Sequence, residues 1–364
     1  MSSLRYIVMA LMATVMLLAC SGQKDSGALP TLRADRTTLD LASHDRITFR
    51  VSLDGSDVTS ESIISNGTDQ LSGGVFTPQE CGFYTFTAEY NGRVSEPVTV
   101  KVYNSAPQLD SQFEKRVCVT EFTGAWCVNC PDGYDKMYGI LSRPAMKKYD
   151  GRIQLLAFHS NIEGADTLAI SNTLDVKSLF PAANAFPAFA VDFRKQASGL
   201  LSGEGLTLFS DSIAESFDNE KHPVCCGVAV SSAVSADGRT AQVTVKVKTA
   251  YTNPYSVVVL IVQDRIKGYQ KTSLYPEGTG DYTHNHVVRK VVTSYVGKFA
   301  GEDITDDGFI KAGDEAVKTF SVDVDSNWVL ENTQVCALVI NCNEEVDNLN
   351  VCQILDGNSD YNFM

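Results

Sequence analysis

The chain has 364 residues, 30 basic against 44 acidic side chains, a formal charge of −14 and 44% hydrophobic residues. That acidity, with no dense Lys/Arg run, argues against nucleic acid and against anionic lipid head groups as partners. The length exceeds one comfortable hydrophobic core, so two or three domains are expected.

The first element is an apolar run, Ile7 to Ala19, with Thr14 as its only polar residue and Arg5 just before it. At 1.5 Å per residue it covers roughly 20 Å, short of the ~30 Å hydrocarbon core of a bilayer. That length suits the apolar part of a secretory signal. The run ends Leu17-Leu18-Ala19-Cys20, which resembles the lipobox of bacterial lipoproteins. The resemblance implies a signal peptide over 1–19, acylation of Cys20, and a lipid bilayer as partner through the N-terminal acyl chains. Residues 20–31 are small and polar and read as a tether.

From 32 to 104 the pattern is that of strands. Arg46 to Leu53 and Phe83 to Tyr90 alternate apolar and polar residues, closed by Asp54-Gly55 and Asn91-Gly92 turns, and Pro97 to Tyr103 completes the set. A small β-sandwich, similar to immunoglobulin-like domains, is expected here. Asn104 to Pro107 reads as a linker.

Between 113 and 222 strands alternate with helices. Strands are expected at Arg116 to Phe122, Ile153 to Phe158 and Pro187 to Phe193, with helices at Asn129 to Tyr149, Asp166 to Leu179 and Gly205 to Phe217. This order predicts an α/β layer structure. From 224 to 364 strands return, at Gly227 to Val234, Ala241 to Thr249, Ser256 to Val262, His286 to Val296, Ala316 to Val324, Thr333 to Asn341 and Asn350 to Leu355. A second sandwich is expected.

Trp126-Cys127-Val128-Asn129-Cys130-Pro131 carries the chemistry. It follows a strand and opens a helix, where the helix dipole and free amides stabilise a thiolate. Such a thiolate attacks a disulfide, and the second cysteine resolves the mixed disulfide. A structural disulfide or an inert pair fits the same letters. A zinc half-site needs about two further ligands, which no second CxxC or nearby Cys/His pair supplies.

Glu121 to Cys127 resembles the thioredoxin signature, with Trp126 before the nucleophile and Glu121 at the position of the buried acid. Phe186-Pro187-Ala188 is similar to the segment whose proline faces the sulfurs. The resemblance implies a thioredoxin-like α/β domain, hence α/β plus all-β overall, flanked by two immunoglobulin-like β-sandwiches. It implies Cys127 as nucleophile, Cys130 as resolving cysteine, a Cys127–Cys130 disulfide, Glu121 in proton transfer, and Trp126, Phe186 and Pro187 lining a substrate groove. Val128-Asn129 departs from the reducing thioredoxins, which leaves the redox poise open. The distance from Cys130 to Pro187 implies an insertion around Asn161 to Ala185.

A longer resemblance runs from the lipobox through Glu121 to Gly133 and Phe186-Pro187-Ala188 to Tyr282-Thr283-His284-Asn285-His286-Val287-Val288-Arg289. It is similar to the outer-membrane-protein-28-related lipoproteins, and implies a lipid-anchored protein of the outer membrane, with its leaflet open.

Other candidates read as structural. His284 and His286 would share one face of a strand and suit a metal, but no third ligand is apparent, so local hydrogen bonding is expected. Cys225 and Cys226 are adjacent and point to opposite faces of a strand; a bond from either to Cys336, Cys342 or Cys352, or buried free thiols, both fit. Cys118 reads as a buried small hydrophobe, and the pairing of Cys81 is open. Asp303, Asp306, Asp307 and Gly308 have calcium-loop residue types without an EF-hand spacing, and read as a solvated turn. His159 reads as a capping or surface residue. No cofactor is called for. Two functions are expected: a thiol–disulfide oxidoreductase acting on exported proteins, or a non-enzymatic surface binding or adhesion protein that binds surface ligands.

Overall fold

The computed structural model describes residues 27–106, 108–170, 185–198, 203–293, 301–306 and 308–364. The expected signal peptide, the expected lipid-attachment residue Cys20, most of the expected tether, Pro107, residues 171–179 of the expected second helix, most of the expected insertion, and Asp307 lie outside the described residues.

The chain divides into two compact units. The first takes in, of the described residues, 27–35, 48–75 and 85–98. In it β1 (Thr31–Ala34) runs antiparallel to β2 (Ile47–Leu53), with Leu32 opposite Val51. A short strand, β3 (Ile63–Ser65), pairs antiparallel with β4 (Gly82–Tyr90). Alternation sends Phe49, Val51, Phe86 and Ala88 inward, all fully buried. The Phe49 and Phe86 rings meet at 4.7 Å.

The second unit takes in residues 36–47, 76–84 and 99–364. Its longer strands and helices from residue 117 onward, in chain order, are β5 (Val117–Thr123), α1 (Cys130–Leu141), β6 (Ile153–His159), β7 (Ala188–Val191), β8 (Lys195–Ser198), α2 (Gly203–Ser216), β9 (Cys226–Val234), β10 (Thr240–Thr249), β11 (Ser256–Gln263), β12 (Ile266–Gln270), β13 (Thr279–His284), β14 (Val287–Val291), β15 (Glu315–Asp323), β16 (Thr333–Ile340), β17 (Val346–Gln353) and β18 (Asp356–Ser359).

One mixed sheet runs β8-β7-β5-β6-β14-β11-β16-β17, with Glu302–Asp303 pairing at β11. Strands β5 and β6 are parallel, Glu121 opposite Ala157 and Thr123 opposite His159, while β7 lies antiparallel on the other side of β5. A second sheet runs β15-β10-β9-β18.

This arrangement overturns the expected fold class. The fold is mostly β, without a clear thioredoxin-like α/β domain between two immunoglobulin-like sandwiches. The reason is a sheet edge. Strand β6 does not end the α/β region, because β14 pairs parallel with it at Ala157 opposite Val287 and carries the same sheet on into β11, β16 and β17.

The continuous apolar run of β11 makes this possible, because both its faces are covered. Val257, Val259 and Ile261 pack with the valines of β9 and β10. Val258, Leu260 and Val262 pack instead with Cys118, Phe122, Leu156 and Phe158 of β5 and β6. A third cluster sits under the helices, where Met137, Ile140, Phe209 and Ile213 cover Val117, Val119 and Phe189. A buried ion pair adds a polar tie. Lys115 Nζ lies 3.0 Å from Asp192 and donates to the carbonyls of Val346 and Asp347 at the start of β17.

Several boundaries move. The expected helix over Asn129 to Tyr149 is α1 followed by a 3-10 turn at Pro144–Tyr149, since proline removes an amide donor. Residues 166–170 are turn and coil, not the start of a helix. The strand expected at Asn350 to Leu355 begins earlier, at Val346. The hairpin β12–β13 was not expected at all. Among the described residues no helix is long and apolar enough to cross a membrane.

Candidate functional site

Cys127 and Cys130 are joined as a disulfide with their Cα atoms 5.5 Å apart. Cys130 is the first residue of α1 and Pro131 follows it, a position that needs no intrahelical amide. The preceding loop is clamped from several sides. Gln270, at the end of β12, donates its amide to the carbonyls of Gly124 and Cys127 at 3.2 and 3.0 Å. The amide of Lys271 donates to the carbonyl of Ala125. The amide of Ala125 donates to Asp166 Oδ2 at 2.6 Å.

Trp126 lies against the same loop. Its indole Nε1 donates to the carbonyl of Ser160 at 2.6 Å, and its ring meets Phe186 edge-on at 5.2 Å. The Phe186–Pro187 peptide is cis, and Pro187 packs against Gly133 of α1. The three residues expected to line a groove are therefore gathered beside the cysteines.

A cleft opens next to Cys130. Its walls include Glu121 and Thr123 of β5, His159 of β6, Tyr134 of α1, and Tyr282 and His284 of β13. Glu121 is buried, and burial lifts its carboxyl to about 8, partly offset by a hydrogen bond from Thr123. It therefore carries a proton near neutral pH.

His159 Nδ1 is 2.6 Å from Asp166 Oδ2, both side chains buried. Burial works against the Asp166 charge, but the His159 contact and the amides of Ala125 and Leu168 outweigh it and hold the carboxyl low. The His284 ring stands edge-on to His159 at 5.1 Å and its Nε2 donates to the carbonyl of Tyr269. Burial and the neighbouring His159 push His284 down to about 4, so it is neutral.

His286 does not share a face with His284. It has a positive φ of 57° between β13 and β14, and contacts Tyr138 Oη at 2.7 Å and Asp264 at 3.3 Å. Among the described residues no group of three or more His, Cys, Asp or Glu is arranged to hold a metal. Cys81, Cys118, Cys225, Cys226, Cys336, Cys342 and Cys352 are free thiols. Burial pushes Cys118 up to about 12, which keeps it an inert thiol.

Residues 209–358 match the family model of the outer membrane protein Omp28. The Omp28 match supports a cell-envelope protein of the outer membrane. It begins within α2 and covers the C-terminal strands, including His284, and does not reach the CxxC loop. Among solved structures, HBP35 of Porphyromonas gingivalis aligns with a TM-score of 0.50 at 17% identity, covering 67% of this chain and 77% of that one. This is a likeness of fold. The surface layer protein SbsC, domains 4–9, aligns with a TM-score of 0.19 at 11% identity, over 89% of this chain and 50% of that one. No curated protein matches the chain.

Sequence reasoning missed His159, Asp166, His284 and Gln270 as members of this site. The expectation of a capping or surface role for His159 is corrected, since it is buried in the cleft wall. Register held the only clue: Thr123 and His159 end two strands that pair in parallel.

Proposed function

We propose that this chain is a cell-envelope thiol–disulfide oxidoreductase acting on exported proteins, held at the membrane by acyl chains on Cys20. The observation that carries the reading is a disulfide at a helix N-terminus with the buried acid Glu121 in the adjoining cleft.

In the proposed reaction a thiolate attacks the Cys127 sulfur. Cys127 is 5% exposed and Cys130 2%, so Cys127 is the more open of the two. The Cys127–Cys130 bond breaks and its electron pair stays on Cys130. That buried thiolate is costly without a partner, and Glu121 lies in the same cleft with a proton to give. In the reverse direction the Cys127 thiolate, favoured by the α1 dipole, attacks a substrate disulfide and Cys130 resolves it. Trp126, Phe186 and Pro187 form the wall against which an extended substrate would lie.

The test is disulfide exchange with a small disulfide probe by the parent and Cys127→Ser proteins. Loss of exchange in the variant is expected. Equal rates would leave a binding role, with the disulfide serving only to hold the loop.

A further inference from the structure

The cleft beside Cys130 holds more acid–base groups than the exchange described above uses. On β5 and β6, alternation and register place Glu121, Thr123, Ala157 and His159 on one face, with Thr123 between Glu121 and His159. All four line the cleft. Thr123 already hydrogen-bonds Glu121. Asp166 holds His159 through Nδ1, and with the same oxygen accepts the amide of Ala125, two residues before Cys127.

We propose that His159, oriented by Asp166, restores the proton that Glu121 gives to the Cys130 thiolate. This inference rests on the thiol–disulfide reading. Proton accounting supports a second group. When the bond opens, Glu121–COOH passes its proton to Cys130–S⁻ and becomes a buried carboxylate. Glu121 is 5% exposed, so solvent recharges it poorly. The proton returns from imidazolium through the Thr123 hydroxyl, and the electrons involved remain those of the cleaved S–S bond.

The two histidines are not equivalent in this role. The groups facing His159 are Asp166 on the following loop, Glu121 on β5, Cys130 and Tyr134 on α1, and Tyr282 and His284 on β13. The Asp166 carboxylate on Nδ1 fixes the orientation of the His159 ring. His284 faces a carbonyl and is already neutral, so it shapes the cleft and carries no proton. Because His159 acts through Glu121, it is a positioning residue for proton transfer.

The experiment measures the rate at which dithiothreitol reduces the Cys127–Cys130 bond in the full chain between pH 5 and 9, by acid quench, alkylation and mass counting. The parent-to-variant ratio at each pH cancels the ionisation of the reductant. For His159→Gln the neutral-pH rate should fall by roughly a hundredfold, the low end of general acid–base contributions. The ratio should vary with pH. Asp166→Asn serves as a second variant, since its amide oxygen can still accept from Ala125 while the histidine loses its carboxylate. It should reproduce the same pH-dependent ratio. A flat ratio near one in either folded variant overturns the inference and leaves the exchange reading standing. If the parent itself shows no reduction that depends on Cys127, both fall together.

Discussion

Gly133, in the first turn of α1, faces the ring of Pro187 with no room for a side chain between them. This contact brings the Phe186–Pro187 segment against the helix that starts at Cys130. Gly133→Ala is expected to destabilise the protein by about 1–3 kcal/mol, because proline is rigid and cannot yield to a methyl group. Gly139→Ala on the same helix is the control. An added methyl there meets nothing within 4 Å, so it should stabilise by about 0.5–1 kcal/mol through helix propensity. Urea unfolding of the two variants checks the pair. Equal shifts would mean that the Pro187 contact carries no constraint.

Glu121 makes stability depend on pH. Burial raises its folded pKa from the usual 4.5 to about 8. Between these values the unfolded chain has released a proton that the folded chain still holds. Stability is therefore lost as pH rises through that window and is level above it. Glu121→Gln removes the titration. Its advantage over the parent should grow by up to about 1.4 kcal/mol per pH unit from pH 5 to 8 and then hold steady. Parallel unfolding midpoints for parent and variant across pH 5–9 would contradict this.

Local patterning was legible in the chain. The strands of β9, β10 and β11 lie within a residue or two of their expected places, because alternation and Asp-Gly turns are written locally. The grouping of Trp126, Phe186 and Pro187 with the Cys127–Cys130 loop came instead from the resemblance to the thioredoxin signature. The fold class was not legible. It turned on whether β6 was an edge, and the strand that continues the sheet arrives from far along the chain at a single register position. The β12–β13 hairpin escaped because Ile266-Lys267-Gly268-Tyr269-Gln270 is short and only partly buried. Gln270 could not be read as part of the site, since its partners are backbone carbonyls of a distant loop.

Asp192 ties β5 to β17. It is fully buried, accepts the Cys118 amide at 2.8 Å, and lies 3.0 Å from both Lys115 and Arg194. Its φ is +47°, a conformation that Asp and Asn tolerate better than Ala. Asp192→Ala is expected to lose about 3–5 kcal/mol, because it strands a buried Lys115 charge. Asp192→Asn should lose less, since its amide oxygen can still accept from Cys118. Adding Lys115→Met to the alanine variant should recover part of the loss. A double variant no more stable than Asp192→Ala would show that the stranded charge is not the cause.

Acylation of Cys20 is the step that would tether the proposed exchange site. An acylated Cys20 would carry several acyl chains, enough for stable anchoring where one chain is marginal. In a Gram-negative host fed labelled palmitate, the full chain should incorporate label and sediment with membranes. Cys20→Ser should lose the label, while the Cys127–Cys130 disulfide, far along the chain, should form as before. Label retained in Cys20→Ser would place the acylation on another cysteine. Among the free thiols of the described residues, Cys118, Cys226, Cys336 and Cys352 are buried and poorly placed to accept it. That outcome would direct attention to the half-buried Cys81, Cys225 and Cys342. The Cys127–Cys130 loop would then be tethered from within a folded unit.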